Sequence, residues 1–168
     1  MEKVFRAVDR ASEWTGKLSS YLMPALVGAI CYDIIMRYAF NKPTHWAFEL
    51  TYMTYGAYSV LGVAYCQALK THVRMDLLYA RLSPRTQAVV ESVCYLLLFF
   101  PLLSILTYKC GEHGLWTLSS GERSSVSVWR PHLWPFKLAI TLGFLLFLFQ
   151  GLVDFFRTLK KAVKGGAA

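Results

Sequence analysis

The chain has 168 residues, of which 55% are hydrophobic and only 17% charged, against about 25% charged in an average soluble protein. The apolar residues gather in four long blocks, each near the roughly 20 residues that cross a hydrocarbon core, which excludes a disulfide-stapled secreted scaffold, a disordered tail and a typical cytosolic enzyme. The net charge of +8 flanks those blocks and forms no single basic domain, so it points to topology and anionic headgroups rather than nucleic acid.

Residues 1–17 are expected to form an amphipathic interfacial helix. At 100° per residue, Arg6, Asp9, Arg10, Glu13 and Lys17 share one arc. Val4, Ala7, Val8, Ala11, Trp14, Thr15 and Leu18 share the opposite arc, with Phe5 at its edge. Such a helix lies flat on the membrane with its apolar side down and Trp14 as an anchor. Transmembrane helix 1 is expected over 18–40. Pro24 bends its first turns, and Ala25 and Ala29 give a spacing that permits close helix contact. A polar turn, Asn41–Thr44, leads to transmembrane helix 2 over 46–69. Its density of small residues (Gly56, Ala57, Ser59, Gly62, Ala64) suits a helix packed against others.

Residues 70–85 are expected as a basic cytoplasmic connection, with Arg74, Arg81 and Arg85 on one stripe where it is helical. Transmembrane helix 3 is expected over 86–108, kinked at Pro101. The Gly- and Ser-rich stretch 109–131 is expected as a periplasmic segment, long enough to be functional or docked on something. Transmembrane helix 4 follows over 132–156, then a cytoplasmic tail over 157–168 with Lys160, Lys161 and Lys164. The predicted fold is therefore an all-α membrane protein with four transmembrane helices and an N-terminal amphipathic interfacial helix.

Lysine and arginine set the orientation. The two termini and the middle connection carry four each, twelve in all, against six on the opposite side. The excess places both termini in the cytoplasm. Trp46, Trp116, Trp129 and Trp134 then lie at or beyond the outer interface, where Trp46, Trp129 and Trp134 can serve as aromatic anchors.

Charges within spans are costly and often functional. Asp33 and Arg37 stand at i, i+4 and can pair within one helix. Counting about 1.5 Å per residue, Arg37 and Glu49 share a depth roughly 12 Å from their span centres, whereas Asp33 lies about 6 Å from the centre. An Asp33–Arg37–Glu49 cluster is predicted, read as a neutralised clamp on the first hairpin, with a proton or ion relay as the alternative. The run Gly121-Glu122-Arg123-Ser124 reads as a turn or an anion-holding loop. Glu91 and Asp154 sit near an interface, where Arg85 or Arg157 can pair with them. The four cysteines occur singly, without CxxC spacing, and read as small buried hydrophobes. The four histidines fall near span ends or in loops, with no facing pair for a haem and no HExxH. No catalytic, substrate-binding or metal residue is expected in this chain, and no cofactor.

Arg37-Tyr38-Ala39-Phe40-Asn41-Lys42-Pro43 with Trp46 and Glu49 resembles the first hairpin of the small membrane subunit of tripartite ATP-independent periplasmic (TRAP) transporters. His72-Val73-Arg74-Met75-Asp76-Leu77-Leu78 before Leu82-Ser83-Pro84 resembles its middle connection. Gly121-Glu122-Arg123-Ser124, with Trp129, Pro131, Pro135, Lys137, Gly143 and Gln150-Gly151, resembles its last segment. The similarity runs in order over about residues 18–157.

The resemblance implies a function. A periplasmic substrate-binding protein captures an organic acid and delivers it to a membrane complex of this small subunit and a large one. The large subunit carries the substrate and Na⁺ sites and moves its transport domain like an elevator, while the small subunit braces the frame. Residues Gly121, Glu122, Arg123 and Ser124 become candidate partner contacts, and phospholipid covers the rest. Two other readings come from different classes. One is an autonomous proton-coupled transporter using Asp33 or Glu49. The other is a membrane oxidoreductase, which the missing outer cysteine pairs disfavour.

Overall fold

The computed structural model describes residues 2–69 and 84–163. The elements are α1 (Glu2–Ser20), α2 (Leu22–Tyr38), α3 (Ala47–Ala68), α4 (Pro84–Cys94), a π-helical turn (Tyr95–Phe99), α5 (Phe100–Ser120) and α6 (Trp134–Val163). Among the described residues there is no strand, only an isolated antiparallel bridge between Arg123 and His132. The stripe expected from Arg74, Arg81 and Arg85 lies outside the described residues, apart from the backbone of Arg85 in the first turn of α4.

Prolines set the two interruptions. Pro24 has no N–H to give the carbonyl of Ser20, and α1 ends at Ser20, with Tyr21 between it and α2. The expected boundary at residue 17 thus moves to Tyr21, and Phe5–Tyr38 forms one nearly continuous helical stretch that contains a window apolar enough to cross a membrane. At Pro101 the ring crowds the carbonyl four residues back. The preceding turn widens, and the Phe100 N–H bonds to the Tyr95 carbonyl, five residues back. The predicted kink at Pro101 is this π-helical turn.

Residues 109–120, expected to belong to the segment after transmembrane helix 3, continue α5 to Ser120. No proline interrupts that run. Its stop is Gly121, left-handed at φ 63, which lets the Glu122 N–H reach back to the Thr117 carbonyl at 3.3 Å. A side chain at that φ would be strained, so glycine is the natural residue there.

Among the described residues three helices are long and apolar enough to cross a membrane: Phe5–Tyr38, Val89–Ser120 and Trp134–Lys160. The remaining expected span, α3, has 22 residues but a more polar composition, with Tyr52, Tyr55, Tyr58, Tyr65, Glu49 and Gln67.

Helix α6 is the hub: α1, α3, α4 and α5 all pack on it, whereas α2 leans on α3 and α1. At Gly143 the backbones of α6 and α3 come close together. A Cβ there would lie 2.7 Å from Val60 Cγ1 and 3.1 Å from the Val60 carbonyl carbon. Behind it, Phe99 stacks edge-on against Phe147 at 5.2 Å, and Phe100 against Phe155 at 5.5 Å.

Helix α1 has three faces rather than two. Its apolar arc is open, with Trp14 69% exposed, and so is its cationic arc at Arg6, Arg10 and Lys17. Between them, Asp9, Ser12, Gly16 and Ser19 form the side that packs on α3 and α6. Ser12 and Ser19 are buried, and a Cβ on Gly16 would lie 2.2 Å from Tyr65 Cγ.

Replacing Gly143 by leucine should therefore overpack the α3–α6 contact and cost about 1–3 kcal/mol. A thermal unfolding series in detergent checks this: Gly143→Leu should unfold earlier, and Gly28→Leu, whose Cβ would meet nothing within 4 Å, should unfold with the unaltered chain.

Candidate functional site

Polar side chains in a lipid-facing protein need partners. In this chain they gather at the two ends of the bundle, where they tie helices and loops together.

At one end, Arg37 Nη2 donates to Asp33 Oδ2 at 2.8 Å, the pair expected from their spacing. The other oxygen, Asp33 Oδ1, accepts from the Thr44 N–H at 3.1 Å and from the Thr44 hydroxyl. Asp33 thus pins the turn after α2 back onto α2. That turn passes through Asn41 at φ 52, a conformation asparagine tolerates better than most residues, and the Lys42 N–H returns to the Met36 carbonyl at 2.9 Å. Beside it, Tyr32 stacks on Trp46 with centroids 5.9 Å apart.

Glu49 does not join this pair, which corrects the predicted three-residue cluster. It is 2% exposed, and its Oε1 accepts from the Ser124 hydroxyl and from the Ser127 N–H at 3.2 Å. Its Oε2 is buried with no hydrogen-bond partner among the described residues. The reason is topological: the loop between α5 and α6 folds down over the first turn of α3 and reaches the carboxylate, while Arg37 is occupied by Asp33 one turn away.

That loop is held along its length. The Ser124 N–H bonds to the Pro131 carbonyl at 2.9 Å, and the Leu133 N–H to the Glu122 carbonyl at 3.2 Å. The Val126 N–H donates to Ser124 Oγ, and the Trp129 N–H to Ser127 Oγ. Arg130 takes a left-handed φ of 46. Within the run Gly121–Ser124, then, Gly121 caps α5, Glu122 and Ser124 point at other helices, and Arg123 is exposed.

Lys137, near the start of α6, completes this end. Its Nζ lies 2.6 Å from Glu122 Oε2, 2.8 Å from Thr117 Oγ1 and 3.0 Å from His113 Nδ1, so all three ammonium protons find acceptors. The Lys137 hydrogen bond, then that of the Thr117 hydroxyl 2.8 Å away, holds the Glu122 carboxyl below the ordinary glutamate value of 4.5 against the opposing effect of burial. Sequence reading singled out Glu122 and Lys137 separately but not as partners.

At the other end, Arg157 of α6 reaches Asp9 of α1 at 2.6 Å and Asp154 one turn back at 3.7 Å. Gln150 Nε2 also donates to Asp9 at 2.9 Å, and the Ser12 hydroxyl donates to Gln150 Oε1 at 3.3 Å. Gln150 and Ser12 are fully buried. Sequence reading offered Arg157 as a partner for Asp154 but did not bring Asp9, Ser12 and Gln150 into the node, although a lone glutamine amid the apolar run of α6 was a visible signal for it. Lys160 and Arg157 lie over the Phe5 ring, which stacks near Phe156 at 6.4 Å.

Trp46, Trp129 and Trp134 lie at the end of the bundle that carries the α5–α6 loop and are all partly exposed, and Trp14 is exposed on α1. Among the described residues no group of three or more His, Cys, Asp or Glu side chains is placed to hold a metal ion. No disulfide joins the described cysteines, and Cys31, Cys66 and Cys94 are exposed where the sequence reading expected buried hydrophobes.

A family model described as the DctQ component of tripartite ATP-independent periplasmic transporters matches residues 26–161. The chain belongs to this family. Its members are transporter components and not enzymes, so the two polar ends belong to the small membrane subunit of a tripartite TRAP transporter. Comparison with curated proteins gives no match. The matched region opens inside α2 and closes in the last turns of α6, and so contains Asp33, Glu49, the loop clamp and Arg157, but not α1.

Two measurements check the geometry. In a double-mutant cycle on unfolding in detergent, Glu49→Gln with Ser124→Ala should show a coupling of about 0.5–3 kcal/mol. Arg37→Gln with Glu49→Gln should add within about 0.5 kcal/mol. The second is a pH series. A carboxyl whose folded value is depressed stabilises fully above its unfolded value, and loses that contribution as pH falls through the folded one. The Glu122 contribution should therefore be complete above pH 4.5 and disappear only below it. Trp129 fluorescence followed from pH 7 downward should show this transition in the unaltered chain, and Glu122→Gln should abolish it.

Proposed function

We propose that this chain is the immobile scaffold subunit of a sodium-coupled secondary transporter that imports an organic acid delivered by a periplasmic binding protein. The observation that carries the reading is that Asp9, Asp33 and Glu122 are spent on joining the chain's own parts. Asp33 is bound to Arg37 and Thr44, Glu122 to Lys137 and Asp9 to Arg157. Each pair locks a loop or a helix onto a neighbour, as a rigid frame requires.

In this reading α3 joins the three apolar helices as a fourth span, and α1 lies along the inner interface with its cationic arc toward anionic phospholipid headgroups. Both termini face the cytoplasm of a bacterium, and the loop over Glu49 faces the periplasm, in keeping with the Lys and Arg distribution. The Na⁺ and substrate sites reside in the large membrane subunit. The frame's task is to stay still while the transport domain of that subunit moves, and tryptophans at one end with basic residues at the other oppose tilting and vertical sliding.

The test is reconstitution. Proteoliposomes holding this chain alone should show no uptake of a labelled organic acid under a sodium gradient. Those holding it with the large subunit, supplied with loaded binding protein, should. Uptake by the chain alone, abolished by Asp33→Asn or Glu49→Gln, would instead support the autonomous proton-coupled alternative.

A further inference from the structure

Lys137 joins three pieces of the chain through one ammonium group. It stands on α6 and bonds to Glu122 of the loop and to Thr117 and His113 of α5. Two of these acceptors survive mild acid: the Thr117 hydroxyl does not titrate there, and the Glu122 carboxyl is held below 4.5. The third is different in kind. Nδ1 of His113 accepts from Lys137 at 3.0 Å, which requires that this nitrogen carry no proton and that the ring proton sit on Nε2. Histidine is the side chain whose charge changes between about pH 5 and 8.

The surroundings of the ring decide what an added proton would do. His113 is exposed, so water reaches it, and Trp116 stands edge-on to it at 5.7 Å. The charged groups that face it are Lys137 from α6, Glu122 from the loop and Glu112 from α5 itself. Both carboxylates already hold a cation, Glu112 through Lys109 at 2.8 Å and Glu122 through Lys137 at 2.6 Å. The charge in direct contact with Nδ1 is the ammonium. A proton on Nδ1 therefore removes one acceptor from Lys137 and sets a second positive charge against it at close range.

The group that Lys137 would release is the root of the loop. The Glu122 carbonyl accepts from the Leu133 N–H at 3.2 Å. Two residues on, the Ser124 hydroxyl and then the Ser127 N–H cover the Glu49 carboxylate.

We infer that His113 is a proton-operated catch on the α5–α6 loop. With Nδ1 bare it holds Lys137, and the loop stays closed over Glu49; with Nδ1 protonated, Lys137 lets go and the loop loosens. The catch does not depend on the scaffold reading. Only the compartment that supplies the proton rests on the orientation given above.

The experiment uses the full chain in lipid nanodiscs, where both faces meet the buffer. Amide hydrogen exchange of residues 122–133 is followed at pH 7.5 and 5.5, as protection factors, so that the intrinsic pH dependence of exchange cancels. Protection should fall about tenfold at pH 5.5, the loss expected for one charge-assisted hydrogen bond. His113→Asn offers an amide oxygen to Lys137 and does not titrate, so its loop should be protected equally at both pH values. His132→Asn, which alters a histidine of the loop itself, should keep the step. Residues 143–153 of α6 should keep their protection throughout, which separates release of the loop from unfolding. Equal protection of the unaltered loop at both pH values, a step that survives in His113→Asn, or a parallel loss in residues 143–153 would each overturn the catch.

Discussion

Where Gly143 of α6 meets Val60 and Leu61 of α3, the two helices approach until backbone faces backbone. A bilayer gives little hydrophobic incentive for one apolar helix to prefer another over lipid tails, so association rests on close van der Waals contact and on polar groups finding each other. The α3–α6 contact supplies the first. Because α1, α4 and α5 also pack on α6, whatever separates α6 from α3 would unseat most of the bundle. The aromatic stacks around Phe99 and Phe100 act on the same helix farther along its length.

The polar groups then decide which loops and ends stay attached. Each node joins pieces distant in sequence: Glu49 to Ser124, Glu122 to Lys137, Asp9 to Arg157. These three nodes lie toward the helix ends, whereas Thr107 Oγ1 in the middle of the long apolar helix is buried with no hydrogen-bond partner among the described residues. A frame built this way holds its shape at both rims and leaves its long middle surfaces free for lipid or for a neighbouring subunit.

How much of this was legible in the sequence depended on range. Asp33 and Arg37 were readable because helical geometry alone brings i and i+4 together. Pro101 was readable because a missing N–H disturbs a helix wherever it falls, although whether the chain kinks or widens is settled by its neighbours. Glu49 was misassigned because depth along a helix says nothing about azimuth, and its partner comes from a loop 75 residues away. The end of α5 was misplaced because serine and glycine lower helix propensity without forbidding it, and only the left-handed Gly121 forces a stop. The side of α1 that packs was hidden because hydropathy separates apolar from charged residues, and Ser12, Gly16 and Ser19 are neither. Size, not polarity, decides contact there.

The widened turn at Tyr95–Phe99 has a bearing on how the long helix faces its hub. One additional residue in a turn offsets the angular phase of everything beyond it by about 100°. Before it, Tyr95 and Phe99 look inward; beyond it, Leu103, Gly114 and Thr117 do. At about 100° per residue an uninterrupted α-helix would hold these five residues within an arc of about 100°, and with the wider turn they still share one side. A single rod therefore lies against α6 from Tyr95 to Thr117, and the proline is accommodated without turning that side away from its hub.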